Sequence, residues 1–386
     1  MNMSGLKKKR IAIVHDYLLR MGGAERVLKV FHEMFPQAPI YCVVYDRNFV
    51  NRFLGDANVA GSFLQKTPSF LRKKYKYLSF LIPSAVEALD LSGFDIIISS
   101  SSAFSKGVIT RPDSIHICYC HTPTRFLWDW THPYSEQLSK KGVLSVFAKI
   151  TLHALRIWDH QSARRVDHFI ANSENVAKRI EKYYKRNSSV IYPPSDCLLE
   201  NAEFQANDRG GLYASGSDPY YLIVSQLRPY KRIDIAIEAF KKLGYRLVVI
   251  GDGTEKFALK RMCKGFKNLN ILGYVGDDIL REYYANCKAL IFPGEEDFGI
   301  SMVEAMCFGK PVLALRRGGA KEIVVEGVTG EFFDDSHPVL LADGVRRLNE
   351  NMANYNRAEI MERAKRFSRN RFEEKIYEFI DDVISR

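Results

Sequence analysis

Two carboxylates, Glu296 and Glu304, stand on either side of Phe298, Gly299, Ile300 and Ser301 in the stretch GEEDFGISMVEAMCFGKPV, which follows the apolar run ALIFP. That order places Glu296 in a loop past the carboxyl end of a strand and Glu304 one turn into a helix that begins near Ser301. The amides of Gly299, Ile300 and Ser301 then point out of a helix N-terminus, where the helix dipole favours an anion such as phosphate. Carboxylates accept hydrogen bonds from sugar hydroxyls. A phosphate between two of them points to a nucleotide sugar, with one glutamate on the hexose and the other on the ribose. Taken alone, the same glutamates also suit an ordinary helix start.

A second set of chemically able residues lies in the first half of the chain. His121 follows the run IHICYC and precedes Thr122-Pro123, so it belongs at a strand's carboxyl end, although a lone histidine is commonly structural. Gly22 and Gly23 follow the first strand, where they permit close backbone approach or a plain turn. No D-x-D at a strand end and no histidine and carboxylate cluster suggests a metal site.

The elements that must carry these residues read as two successive α/β runs. The first has a strand over 10–15, a glycine turn and a helix bearing Val27, Leu28, Phe31, Met34 and Phe35 on one stripe. Strands at 95–99, 115–119 and 169–171, a long helix near 145–165 and a helix capped by Ser173 follow. Residues 192–219 lack periodicity and read as a linker or surface insertion. The pattern then restarts, with strands at 220–225, 246–250, 270–272, 289–292 and 311–315. Helices at 233–242, 256–263, 277–285 and 301–308 alternate with them. Such alternation implies parallel sheets with ligands at the carboxyl ends of the strands. The expected division is 1–195, a linker at 196–218, a second domain over 219–367, and a last helix within 368–386 that packs back on the N-terminal domain or stays with its neighbour.

Bulk properties agree with two globular domains. At 386 residues and 44.2 kDa the chain exceeds the size at which one core stops growing. Its composition, 46% hydrophobic and 26% charged, excludes a disordered chain. Seven scattered cysteines form no C-x-x-C pair, which fits a reducing compartment. No run approaches the roughly 20 apolar residues of a spanning helix. The net charge of +11 is concentrated in the first half: residues 1–195 hold 28 Lys and Arg against 15 Asp and Glu. A basic surface of this kind meets anionic partners.

The ordered stretches MGGAERVL, YCHTPTRFLWD, ANSENVAKRI, VIYPPSD, PYKRIDIAIEAF, VVIGDG, EEDFGISMVEAMCFGKPV and GGAKEIVVEGVTGEFF span nearly the whole chain. Together they resemble the retaining GT-B glycosyltransferases of family 4, whose E-x7-E motif the Glu296 to Glu304 stretch matches. The resemblance implies two Rossmann-like doubly wound domains facing across a cleft. It implies that Glu296 contacts the donor hexose, Glu304 the ribose, and that Phe298 to Ser301 present amides to the diphosphate or sugar. Lys231 would neutralise the leaving diphosphate as its charge grows. The family arginine that usually accompanies this lysine is replaced by Gln226, with Arg228 as the first candidate for its role and Arg232 as the second. His121 matches a histidine that hydrogen-bonds the transferred sugar or its phosphate, making His121, Glu296 and Lys231 the catalytic set. Gly22 and Gly23, with Asp16, match an acceptor-side loop that also reaches the donor phosphates, and Gly318, Gly319 and Glu322 match a loop beside the donor. The family generally works without a metal, so neither metal nor cofactor is expected beyond the nucleotide-sugar substrate.

Within the family, HDYLLRMGGAE, CHTPTRFLWD and PYKRID look most like mannosyltransferases of O-antigen and exopolysaccharide clusters, which implies GDP-mannose. A UDP-linked hexose is the alternative, and a nucleotide-sugar epimerase shares the paired α/β domains. The segment QKTPSFLRKKYKYLSFLIP interleaves Arg72, Lys73, Lys74 and Lys76 with aromatic residues. It suits either an anionic bilayer surface or the basic face of a packed helix. The first option implies a lipid-linked saccharide acceptor and a cytoplasmic protein held peripherally on the inner face of the cytoplasmic membrane. Nucleic acid is not expected, for no recognised binding module is present.

Overall fold

The computed structural model describes residues 9–68, 79–131, 143–195 and 219–385. Arg72, Lys73, Lys74 and Lys76, and the expected linker over 196–218, lie outside the described residues. The chain forms two compact units: Met1–Tyr192 with Phe372–Arg386, and Pro193–Arg371.

In the first unit the strands are β1 (Ile11–Leu18), β2 (Ile40–Tyr45), β3 (Val59–Gly61), β4 (Ile96–Ser101), β5 (Ile115–Cys120), β6 (His168–Ala171) and β7 (Ser189–Val190). They lie in the order β3-β2-β1-β4-β5-β6-β7, with parallel pairing throughout. The order reverses between β1 and β4. β1 and β4 are buried along nearly their whole length, as parallel strands covered on both faces must be. On one face Ala12, Val14, Val44 and Ile97 pack with Leu152 and Leu155 of the helix Val143–Ala163. The next residues along each strand point the other way: Phe31 of the helix Gly23–Met34 meets Tyr119 edge-on at 5.6 Å.

The last helix, Arg369–Ser385, completes that second face. Phe372 sits 5.4 Å from Phe31 and 5.7 Å from Tyr119, and Tyr377 donates its hydroxyl to the Met34 carbonyl at 3.2 Å. The buried stripe Phe372, Ile376, Ile380 and Val383 follows helical spacing.

The second unit holds β8 (Tyr220–Val224), β9 (Arg246–Ile250), β10 (Leu269–Gly273), β11 (Ala289–Phe292), β12 (Val312–Leu315) and β13 (Gly330–Phe333). Their order is β10-β9-β8-β11-β12-β13, again parallel, with the reversal between β8 and β11. Tyr221, Ile223, Leu247, Val249 and Ile291 form a core with the helices Ile233–Leu243 and Pro338–Glu350. In open sheets of this type the crevice for a ligand opens beyond the carboxyl ends of the strands, where the order reverses.

Candidate active site

Lys231 and Glu296 occupy that reversal in the second unit. The loop after β8 carries a short 3-10 turn, Pro229–Lys231, and the loop after β11 carries Glu296. The ammonium of Lys231 is paired with Glu296 Oε1 and stands 5.2 Å from the centre of the Tyr230 ring. Both side chains are largely shielded, at 13% and 21% exposure, so solvent screens the pair weakly. Gly294 makes this approach possible: a Cβ there would lie 2.8 Å from the Cα and carbonyl oxygen of Lys231. On the other side, Glu296 is fixed by its own carbonyl, which accepts the Gly319 amide at 2.9 Å. The loop GGA after β12 therefore braces the one after β11.

The helix expected near Ser301 runs Ile300–Cys307. Gly299 precedes it with φ 103°, a left-handed conformation that favours glycine. The amides of the first turn of a helix lack intrahelical acceptors, so Ile300 and Ser301 open the anion-favouring end of the dipole beside Glu296. Phe298 is buried against Phe367, with ring centres 5.4 Å apart, and so contributes backbone rather than side chain to this rim.

Glu304 lies inward on the same helix at 4% exposure, and its Oε2 accepts the Tyr284 hydroxyl at 2.7 Å. Tyr284 in turn stacks on Phe308 at 5.8 Å. Tyr284, which sequence reasoning did not single out, thus orients the carboxylate that the motif supplies. The two arginines proposed for the phosphate differ in their surroundings. Arg232 is bound by Asp234 through two contacts, at 3.2 and 3.3 Å, at the start of the helix Ile233–Leu243. Arg228 has no acidic partner among the described residues, and Gln226 sits two residues before it.

In the first unit the corresponding reversal lies between β1 and β4. Asp16, expected on the acceptor side, spends both carboxylate oxygens on the loop after β4. Its Oδ2 accepts the amides of Ser102 and Ala103 at 2.7 and 2.9 Å, and its Oδ1 those of Phe104 and Ser105 at 2.8 and 2.7 Å. Gly22 caps the helix Gly23–Met34 in an extended conformation, so both glycines lie at the mouth of this crevice. His121 follows β5 directly. Its amide donates to Ser101 O at 2.8 Å, its Nε2 lies 2.8 Å from Ser100 Oγ, and it is 8% exposed.

The motif YCHTPTRFLWD is held from below by Asp159. This buried carboxylate accepts Lys106 Nζ at 2.5 Å, Thr124 Oγ1 at 2.7 Å, Trp128 Nε1 at 2.8 Å and Tyr184 OH at 3.0 Å. Arg179, from ANSENVAKRI, pairs with Asp129 and donates to Thr122 Oγ1 at 2.9 Å. Two separate sequence motifs therefore interlock around the loop that presents His121. Among the described residues no group of three or more His, Cys, Asp or Glu side chains is arranged to hold a metal ion.

Two doubly wound units, each a parallel sheet with its loops at a strand reversal, define the GT-B fold class. The family model for glycosyltransferase family 4 matches residues 21–197, and that for glycosyl transferases group 1 matches residues 205–371. The chain belongs to this family of glycosyltransferases. It is 28% identical over 191 residues to an uncharacterized glycosyltransferase, MJ1178, of Methanocaldococcus jannaschii, covering 48% of this chain and 50% of that one. It is 29% identical over 261 residues to the lipopolysaccharide 1,2-N-acetylglucosaminetransferase of Salmonella typhimurium, covering 61% and 68%. The chain spans about half the length of several curated relatives it matches. Among solved structures, Anabaena Alr3699/HepE in complex with UDP superposes with TM-score 0.69 at 18% identity, over 97% of this chain and 100% of that one. The same protein has also been solved with UDP-glucose.

Proposed function

We propose that this protein is a retaining glycosyltransferase that moves a hexose from a UDP-linked donor to a saccharide acceptor in surface polysaccharide assembly. The observation that carries the reading is the Lys231 and Glu296 pair at the β8/β11 reversal, beside the N-terminus of the helix Ile300–Cys307. On donor entry the pair divides: Lys231 turns to the diphosphate, and Glu296 accepts a hydroxyl of the hexose. As the bond from sugar to phosphate breaks, negative charge grows on the departing oxygen, where the lysine and the first-turn amides lower its energy. Arg228 is the second cation for the diphosphate, since Arg232 is engaged by Asp234. Glu304, held by Tyr284, accepts the ribose hydroxyls.

The donor reading moves from GDP-mannose, expected from the N-terminal motifs, to a UDP-linked hexose. Support for the move comes from the UDP and UDP-glucose complexes of the Anabaena protein and the N-acetylglucosamine transfer named for the Salmonella relative. No helix among the described residues is long and apolar enough to cross a membrane. A peripheral place on an anionic membrane, through Arg72, Lys73, Lys74 and Lys76, and a lipid-linked acceptor belong to the same proposal. A thermal-shift panel of UDP, GDP, UDP-glucose and GDP-mannose tests the donor: UDP compounds are expected to raise Tm most, and preferential stabilisation by GDP compounds would overturn it.

A further inference from the structure

The helix Val143–Ala163 has two apolar faces. Its inner face joins the first sheet through Leu152 and Leu155, and the carboxylate of Asp159 is buried on the same side. Its outer face meets solvent: Val146, Ile150 and Ile157 are 58%, 62% and 53% exposed. At about 3.6 residues per turn these three lie within roughly 40° of one another around the helix axis, with Leu155 roughly opposite, and the stripe runs about 16 Å along the helix. Single exposed aliphatic side chains are ordinary on a protein surface, whereas several on one line mark a surface that meets an apolar partner.

The charges beside the stripe identify that partner. Lys149 is exposed near one end and Arg164 just past the other, with His153 and Ala154 exposed between them. From Val143 to Arg165 the only acidic residue is Asp159, whose oxygens are taken up by Lys106, Thr124, Trp128 and Tyr184. The outer face is therefore aliphatic, flanked by cations and free of carboxylates. This is the composition of a helix that lies in the boundary of an anionic bilayer, with aliphatic side chains among the acyl chains and basic ones at the phosphates. The helix can only lie along such a surface, because its inner face is spent on the core. A second copy of the chain fits the stripe less well: one helix face of this length offers on the order of 200 Å², against about 800 Å² per partner in a stable complex. The stripe also lacks the aromatic anchors that concentrate binding energy between proteins.

We infer that the outer face of the helix Val143–Ala163 is a docking surface for anionic phospholipid, with Val146, Ile150 and Ile157 entering the acyl boundary and Lys149 and Arg164 meeting headgroup phosphates. The inference rests on the peripheral membrane reading proposed above and assigns its apolar contact to a named helix.

Co-sedimentation of the full chain with vesicles of phosphatidylglycerol and phosphatidylethanolamine, beside vesicles of phosphatidylcholine alone, tests it. The wild-type chain should sediment with the anionic vesicles and stay in solution with the neutral ones. Ile150→Ser should weaken binding about tenfold, and Ile150→Ser combined with Ile157→Ser about a hundredfold, the scale set by burying half-exposed aliphatic side chains. Lys149→Gln should weaken it about fivefold and lessen its sensitivity to salt. All these positions are exposed, so the variants should keep the wild-type Tm. Ile279→Ser, at a residue of the second unit that is 51% exposed, is the control and should bind as the wild type does. Unchanged binding by the double variant overturns the inference while leaving the peripheral reading to stand on its basic residues. A wild-type chain that binds neither kind of vesicle sinks that reading and the inference with it. A dimer in solution that the double variant dissociates assigns the face to a second copy and overturns the inference, as does equal binding to neutral vesicles.

Discussion

A methyl group on Gly294 would stand 2.8 Å from the Cα of Lys231 and 2.8 Å from its carbonyl oxygen. Both contacts are backbone, which cannot swing aside as a flexible side chain would. Gly294→Ala is therefore expected to push the loops after β8 and β11 apart and lower kcat by about a hundredfold, with the fold retained. Gly93→Ala, where nothing lies within 4 Å, is the matched control and should leave kcat and Tm unchanged. Equal behaviour of the two variants would show that the spacing of Lys231 and Glu296 is not critical.

Removing the hydroxyl of Tyr284 leaves its ring stacked on Phe308 and deprives Glu304 of a donor at 2.7 Å. Tyr284→Phe should cost about 1.5–3 kcal/mol of stability, the range for a buried bond to a charged group. It should also weaken nucleotide binding more than it slows turnover. Calorimetric titration with UDP, set beside denaturant melts, separates the two effects.

Asp16 accepts four consecutive loop amides, two on each oxygen. In Asp16→Asn one oxygen becomes an amide nitrogen, which faces two N–H donors with a donor of its own. A loss of about 3 kcal/mol or more is expected from these unsatisfied groups. Chemical denaturation measures it, and a near-neutral result would mean that the loop finds other acceptors.

His116 gives the first unit a pH dependence. Burial, helped by the charge of Arg165, pushes its imidazole down to about 3, and its Nε2 lies 2.8 Å from Ser99 Oγ. Between the ordinary histidine value of 6.5 and about 3, the unfolded chain carries a proton that the folded chain lacks. Stability therefore rises with pH through this window, by up to about 1.4 kcal/mol per pH unit, and its contribution is complete above 6.5. His116→Gln should flatten that slope in melts taken from pH 4 to 7.

How far these features were legible in the sequence depends on what fixes each one. The strands carrying the site announce themselves as short apolar runs, and Ser173 caps its helix through Val176 as its residue type suggests. The strand Ile40–Tyr45 was passed over between two helices, and Gly330–Phe333 hides a charged Glu331 within only four residues. Glu296, Lys231 and His121 stand out by motif. Tyr284 and Ser100 do not, because their contacts come from helix packing and register between residues 20 and 21 positions apart. Local pattern carries no record of such pairing. Gly294 had a faint signal, a glycine directly before the acidic stretch, whose meaning appears only when the neighbouring loop is in place.

The helix Arg369–Ser385 also bears on how the chain is made. Its Phe372 packs on Phe31 and Tyr119 at the face of the first sheet, so the N-terminal unit is built from both extremes of the described chain. During synthesis the residues up to Tyr192 leave the ribosome long before their last helix exists, with an apolar sheet face waiting in solvent. The intervening unit, Pro193–Arg371, is contiguous and can fold as it emerges. The N-terminal unit, although translated first, is finished last, and in that interval its uncovered face is the surface on which a chaperone would act.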